Sequence, residues 1–396
     1  MTQRVRKKDD ISTVDAVFVG SDQVYITASV QDRNITAYEA GLSVYRQIAG
    51  LLAEKQLSVT QERLFGSLDA ADAVKKARSE VLRDTALPAD VPLTYIEGRP
   101  LWEKGFAGAQ ITAFRFPDED AVRTIKENGV PKGRSWKIDG ATYIMLQDLH
   151  GRDTSRADRS IETARMFERA EKLLRAQGAS YKNVVRTWIY LSDILDWYTD
   201  FNTVRNRAYR EMGLLPGEGA KEPAEQIYLP ASTGIEGDNP HEAAAVMDLL
   251  ALIPREGTTL EVAQRSGVKQ RSPFRYRSAF SRAMSIHERE KTHVLVSGTA
   301  AIDDRGFSLY EGDTRSQILK TAEIVNALIA EEGASMRDIC TATIFLKKGE
   351  DLPIYRKVAA EAGLADLPAV YVIADVCRDE LLFELDATVS MRNGAL

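Results

Sequence analysis

Glu384 stands in the run LLFELDATV, between Phe383 and Leu385. A carboxylate on a buried, β-branched stretch loses hydration, which raises its pKa toward neutrality, as a general acid needs. The same residue could instead be a structural acid paired with a nearby arginine. Cys377 and Arg378 stand shortly before it. Cys377 is either a pocket residue or a small buried hydrophobe. Three arginines are candidates for holding a carboxylate: Arg186 within NVVRTWIYL, Arg282 within FSRA, and Arg378. A planar guanidinium meets a carboxylate through two parallel N–H donors. Arg186, among Val185, Trp188 and Ile189, is placed for burial, either against a ligand or in an ion pair between units. Gly298 and Thr299 follow a strand-like run, where glycine permits close approach to the backbone and the hydroxyl can hold an oxygen. Asp313 and Gln317 precede a helix and read as local capping. Arg275, Tyr276 and Arg277 form a basic stretch, either solvated or part of a lid.

Composition narrows the function classes. The chain has 396 residues, 44% of them apolar, with 52 basic and 58 acidic side chains and a formal charge of −6. That balance argues against non-specific nucleic-acid binding, which needs a concentrated positive surface. Two cysteines, Cys340 and Cys377, without framework spacing point to a reducing compartment, with Cys340 read as core. The four histidines, His150, His241, His287 and His293, are scattered, so no metal site is expected. No cofactor motif is present. The first residues are basic without an apolar core and no run reaches membrane-spanning length, so a cytoplasmic location without a membrane partner is expected.

The elements that must position these residues repeat along the chain. Short strands are predicted at 16–20 and 24–28, helices at 37–54 and 70–83, a strand at 63–67, and an extended pair over 91–116. A second set follows a linker over 116–136: strand 141–146, helix 160–177 ended by Gly178, strand 183–191, helix 194–210, and a pair at 226–234 and 241–252. A second linker, 254–277, leads to the third set: strands 293–298 and 306–310, helix 317–332, strand 338–346, and helix 352–362. The last pair, 370–376 and 381–389 joined by 377–380, reads as a hairpin. LLRAQGASYKNVVRTWIYLSD at 173–193 parallels LIAEEGASMRDICTATIFLKK at 328–348, the mark of an internal duplication. Each set reads strand, strand, helix, strand, helix, strand, strand. Amphipathic helices after strands need a sheet to cover, and sheets left bare on one face need each other. The expectation is an α+β fold of three units, 12–120, 136–253 and 278–396, in a pseudo-threefold arrangement with central sheets and outer helices. Sixteen residues beyond Pro92, Pro230 and Pro368 stand Gly108, Val246 and Glu384, so one unit alone carries an acid at that step.

Gly298, Gly312-Asp313 followed by Gln317, Gly-Ala-Ser before a strand, and Leu-Pro leading to Glu-Leu-Asp-Ala resemble the RidA/YjgF superfamily, whose single-domain members form trimers with clefts between units. The match covers 285–392 well and 136–252 more loosely. Ala231–Ile235, Phe280–Ala283, Ser297–Ala300 and Asp375–Arg378 resemble the chorismatases, the multi-unit branch that splits chorismate into pyruvate and a ring carboxylic acid. The resemblance implies that Glu384 donates a proton and that Cys377, present in members giving 3-hydroxybenzoate, governs the fate of the ring. It departs from imine-hydrolysing members, which carry an arginine shortly after the proline where this chain has Ala369, Val370 and Tyr371. The segment 301–311 also lacks the histidine of chorismatase loops. The expectation is a cofactor-independent, chorismatase-like enzyme acting on a small carboxylate. Alternatives are a tailoring enzyme for another carboxylic acid and a non-enzymatic acid-binding protein. A monomer is expected, with a homotrimer as the alternative.

Overall fold

Helix starts follow local chemistry. Thr36 and Glu39 form a reciprocal capping box before α1 (Ala37–Lys55), Asp158 caps α3 (Arg159–Ala176), and Asp313 caps α5 (Thr314–Ala330) by accepting from Ser316 N at 3.0 Å. The computed structural model describes residues 2–118, 121–138, 140–153, 158–216, 228–266 and 279–393. Arg275, Tyr276 and Arg277 lie outside them.

Three units share one topology. The first comprises β1 (Thr2–Lys8), β2 (Ser12–Val19), β3 (Gln23–Val30), α1, β4 (Ser58–Gly66), α2 (Ala71–Asp84), β5 (Thr94–Glu97) and β6 (Phe106–Phe114). The second comprises β7 (Val122–Glu127), β8 (Val130–Ile138), β9 (Ala141–His150), α3, β10 (Val184–Leu191), α4 (Ile194–Glu211), β11 (Ala231–Glu236) and β12 (Ala245–Pro254). The third comprises β13 (Glu261–Arg265), β14 (Ala283–His287), β15 (Lys291–Ala300), α5, β16 (Ile339–Leu346), α6 (Leu352–Glu361), β17 (Ala369–Ile373) and β18 (Phe383–Arg392). The six-stranded sheets run β1-β2-β3-β6-β4-β5, β7-β8-β9-β12-β10-β11 and β13-β14-β15-β18-β16-β17.

Three sequence expectations differ from the structure. The stretches taken as linkers carry the leading strands β7, β8 and β13; their polar composition suits edge strands, whose alternation is too weak to stand out. The closing pairs are not hairpins. The chain returns through α6 in the direction of β16, so β17 pairs parallel with β16 on its outer side, while β18 enters antiparallel between β15 and β16. Periodicity identifies a strand but not its partner. The expected strand at 306–310 is a loop, joined at the isolated bridge Ile302–Ser308.

The duplicated Gly-Ala-Ser is a helix stop. Gly178 and Gly333 sit at φ 76° and 73°, and Ala179 and Ala334 return their N–H groups to Leu174 and Ile329. In the first unit Gln56 takes the left-handed position at φ 52° and Leu57 N–H returns to Leu52, which explains why that unit lacks the tripeptide. Helices cover one face of each sheet. The opposite faces meet in one apolar cluster that includes Phe65 and Phe114, Trp136 and Trp188, and Leu295 and Phe345. The units join cyclically: Gln147 Nε2 donates to Glu62 O (2.7 Å), Ser232 N to Ser297 Oγ (2.8 Å), and Gln110 Nε2 to Ala342 O (2.8 Å).

Candidate active site

β18 is a central strand, so Glu384 has neighbours on both sides: Ala300 on β15 and Phe345 on β16. In the other two units the matching register positions are Val246, opposite Tyr190, and Gly108, opposite Phe65. β15 shifts register against β18 between Val296 and Thr299, and Gly298 lies in that irregularity. A Cβ at Gly298 would stand 2.2 Å from Glu384 Oε1. The glycine is therefore what allows the carboxyl to lie against the backbone.

Glu384 is 5% exposed, and among the described residues no hydrogen-bond donor reaches its carboxyl. Burial raises its pKa from an ordinary 4.5 to about 8; the neighbouring Asp386 adds to the rise, and Arg186 and Arg282 oppose it. Glu384 thus holds its proton at neutral pH. Asp386, one side-chain step along β18, differs in being saturated: it accepts from Thr233 Oγ1 (2.9 Å), Arg186 Nη2 (3.3 Å) and Thr343 N (3.2 Å).

Glu384 opens into a pocket between the second and third units. Gly298, Cys377, Arg378 and Arg282 line it with Glu384. Five of the seven residues singled out from sequence therefore meet. Two do not line it. Thr299 is fully buried, with its hydroxyl donating to Ser297 O at 2.9 Å, so it faces away from a ligand. Arg186 lies behind the pocket, donating to Thr187 O (2.8 Å), Thr233 Oγ1 (2.6 Å) and Asp386, an ion pair between the second and third units. Its guanidinium lies 4.6 Å from the Trp188 ring centroid, which offsets part of the cost of burying a cation.

The loop before β18 is braced from α5. Gln317 Nε2 donates to Glu380 O (2.9 Å), and Leu382 N donates to Gln317 Oε1 (2.8 Å). Gln317 is more than a capping residue, because it fixes the approach to the strand that carries Glu384. Arg378 donates to Gly306 O (2.7 Å) and Ser308 Oγ (3.2 Å), tying the 303–310 loop to the pocket rim. Burial first, then the nearby Glu384, pushes the Cys377 thiol up to about 12, so it is neutral.

The second unit supplies lining residues that were not among the candidates named from sequence. Tyr198 and Arg205 on α4 line the pocket, as do Ser232 and Gly234 on β11. Their spacing of seven puts Tyr198 and Arg205 on one helix face, a signal present in the sequence. Phe280 supplies an apolar wall, with Arg205 and Arg282 each 5.7 Å from its ring centroid. Three guanidiniums thus converge on a pocket holding one protonated acid. Among the described residues no group of three His, Cys, Asp or Glu is placed to hold a metal, and no helix is long and apolar enough to cross a membrane.

Comparison with known proteins agrees with this architecture. The family model described as endoribonuclease L-PSP matches residues 274–390. A 3-hydroxybenzoate synthase of Streptomyces hygroscopicus is 28% identical over 304 residues, covering 70% of this chain and 82% of the relative. A chorismatase of the same organism is 26% identical over 285 residues, covering 67% and 76%. A chorismatase crystal structure superposes with a TM-score of 0.60 at 20% identity, covering 84% of this chain and 93% of that one, and so shares the fold. The third unit thus matches that family model, and the chain as a whole is similar to chorismatases in sequence and shares their fold.

Proposed function

We propose that the chain is a chorismatase-like enzyme that releases pyruvate from chorismate or a related cyclic enol-pyruvyl acid by acid catalysis. The observation that carries this reading is Glu384: an acid that keeps its proton at neutral pH, without a hydrogen-bond partner among the described residues, at a pocket lined by Arg205, Arg282 and Arg378. The likeness to a 3-hydroxybenzoate synthase and to chorismatases supports the same chemistry.

Glu384 transfers its proton to the enol-pyruvyl methylene carbon, leaving an oxocarbenium-like centre and a carboxylate. In one course water adds to the oxocarbenium carbon and gives a proton back to Glu384, and the hemiketal then breaks its bond to the ring oxygen, which takes the hemiketal hydroxyl proton, giving pyruvate and a dihydroxycyclohexadiene acid. In the other the bond between the ring carbon and the ether oxygen breaks, the oxygen leaves with pyruvate, and the ring passes a proton to the Glu384 carboxylate as it becomes aromatic, giving a hydroxybenzoate. The guanidiniums hold the substrate carboxylates, Tyr198 and Phe280 flank the ring, and the neutral Cys377 thiol bears on which course prevails. Arg186 and Asp386 act as positioning residues behind Glu384. Incubation with chorismate and an assay for pyruvate tests this: release that depends on Glu384 is expected, and unchanged chorismate would overturn it.

A further inference from the structure

The cyclic arrangement creates a counterpart of the Glu384 pocket between the third and first units. β6 takes the place of β18 there, with Gly108 at the register of Glu384, and β3 takes the place of β15, with Ser29 opposite Gly108 as Ala300 is opposite Glu384. Counting from Pro92 and Pro368 puts Leu101 and Trp102 where Cys377 and Arg378 stand, and α6 takes the place of α4.

This counterpart holds a cavity of about 530 Å³, against about 50 Å³ at Glu384. Two exposed guanidiniums, Arg33 and Arg356, line it, and neither makes an ion pair among the described residues. Its walls include three aromatic rings: Trp102, Tyr355 and Tyr371. Tyr355 and Tyr371 meet edge to face at 5.5 Å between centroids. Among the described residues no aspartate or glutamate lines the cavity. An excess of cationic donors over acids, beside flat apolar walls, is the complement of a planar or cyclic carboxylate. The missing acid leaves nothing there to protonate an enol ether. A Cβ at Gly108 would stand 2.1 Å from Ala28 O, so the backbone itself keeps a side chain out of that position.

We propose that the cleft between the third and first units is a second, non-catalytic site that binds a cyclic carboxylate, held by Arg33 and Arg356 and flanked by Trp102 and Tyr371. The ligand class rests in part on the proposed reaction, because a ring carboxylate is its product; the cavity and its charge do not.

The test uses the full chain and 3-hydroxybenzoate as probe, with calorimetry for stoichiometry. Two molecules per chain are expected, falling to about one in the Arg33→Ala/Arg356→Ala double variant, or the second site weakened by about tenfold or more. Both arginines are exposed, so the variant is expected to fold, which an unchanged thermal midpoint checks, and its turnover at low product stays near native. 3-Hydroxybenzamide, the neutral isostere, should not fill the site. Unchanged stoichiometry and affinity in the double variant, or equal binding of 3-hydroxybenzamide, would overturn the proposal. If chorismate is not turned over while the double variant still loses a site, the proposed reaction fails and the second site stands. Pyruvate release with a single site that disappears in Arg282→Ala gives the converse.

Discussion

The cleft carrying Glu384 and the cleft carrying Gly108 are built by the same strands of the same topology, yet they are opposite in chemistry. The first is small and contains an acid that desolvation holds protonated. The second is open, cationic and without an acid. The difference comes from two glycines used in opposite ways. Gly298 lacks a side chain so that Glu384 can occupy the space, whereas Gly108 lacks one because the neighbouring strand's carbonyl already does. A duplicated fold therefore keeps its packing in every copy while only one copy keeps a proton to give.

The largest effect should come from removing that proton. E384Q is expected to lower pyruvate release by about 10²–10⁴-fold while retaining hydroxybenzoate binding; native-like turnover would erase the distinction between the clefts. Under the proposed mechanism the native chain should lose turnover as pH rises through about 8, since the protonated form of Glu384 is the one that donates. Stability follows the opposite group logic to a salt-bridged carboxylate. The folded chain keeps the Glu384 proton up to about 8, and the unfolded chain releases it above 4.5. Between these values the folded state binds more protons, so stability falls with rising pH, by about 1.4 kcal/mol per pH unit from this group. E384Q lacks that loss and should melt above the native protein at pH 8 but not at pH 4.

G298A comes next. Its Cβ displaces the Glu384 carboxyl, so turnover should fall by about tenfold or more, beyond what an overpacking cost of about 1–3 kcal/mol explains. Urea unfolding and turnover measured together separate the two. G108E attacks the comparison from the other side. Combined with E384Q it should restore no pyruvate release and should destabilise the chain by about 1–3 kcal/mol or more, because the new side chain meets the backbone of β3. Recovery of activity would show that the clefts differ by one residue alone. C377A should act least on rate, within about tenfold, since the thiol is neutral and no proton step passes through it. The proportion of hydroxybenzoate to dihydroxycyclohexadiene acid is the sensitive readout, by chromatography.

Much of the site was legible before the fold. Counting sixteen from each proline selected Gly108, Val246 and Glu384, and the strand registers bring those three to equivalent steps. Cys377, Arg378, Arg282 and Gly298 came from short words in the third unit and its approach, and they meet at one pocket. Of the two readings open for Arg186, the structure shows the ion pair between units, because an arginine amid apolar strand residues signals burial without saying which partner compensates it; the partner, Asp386, belongs to another unit. Tyr198 and Arg205 were not singled out, since a helix face toward a cleft and a helix face toward a core carry the same periodicity.

The sequence by itself determined the number of units, the helices and their stops, most strands, and the asymmetry of one acid among three copies, because these depend on local chemistry and on repetition along the chain. Tertiary structure decided which strands pair, that β18 is central and not half of a hairpin, and which arginines face the cleft. Those depend on segments far apart in the chain being brought to one place. The raised pKa of Glu384 belongs to this second group: it arises from burial and from Asp386 outweighing the opposing charges of Arg186, from the neighbouring unit, and Arg282.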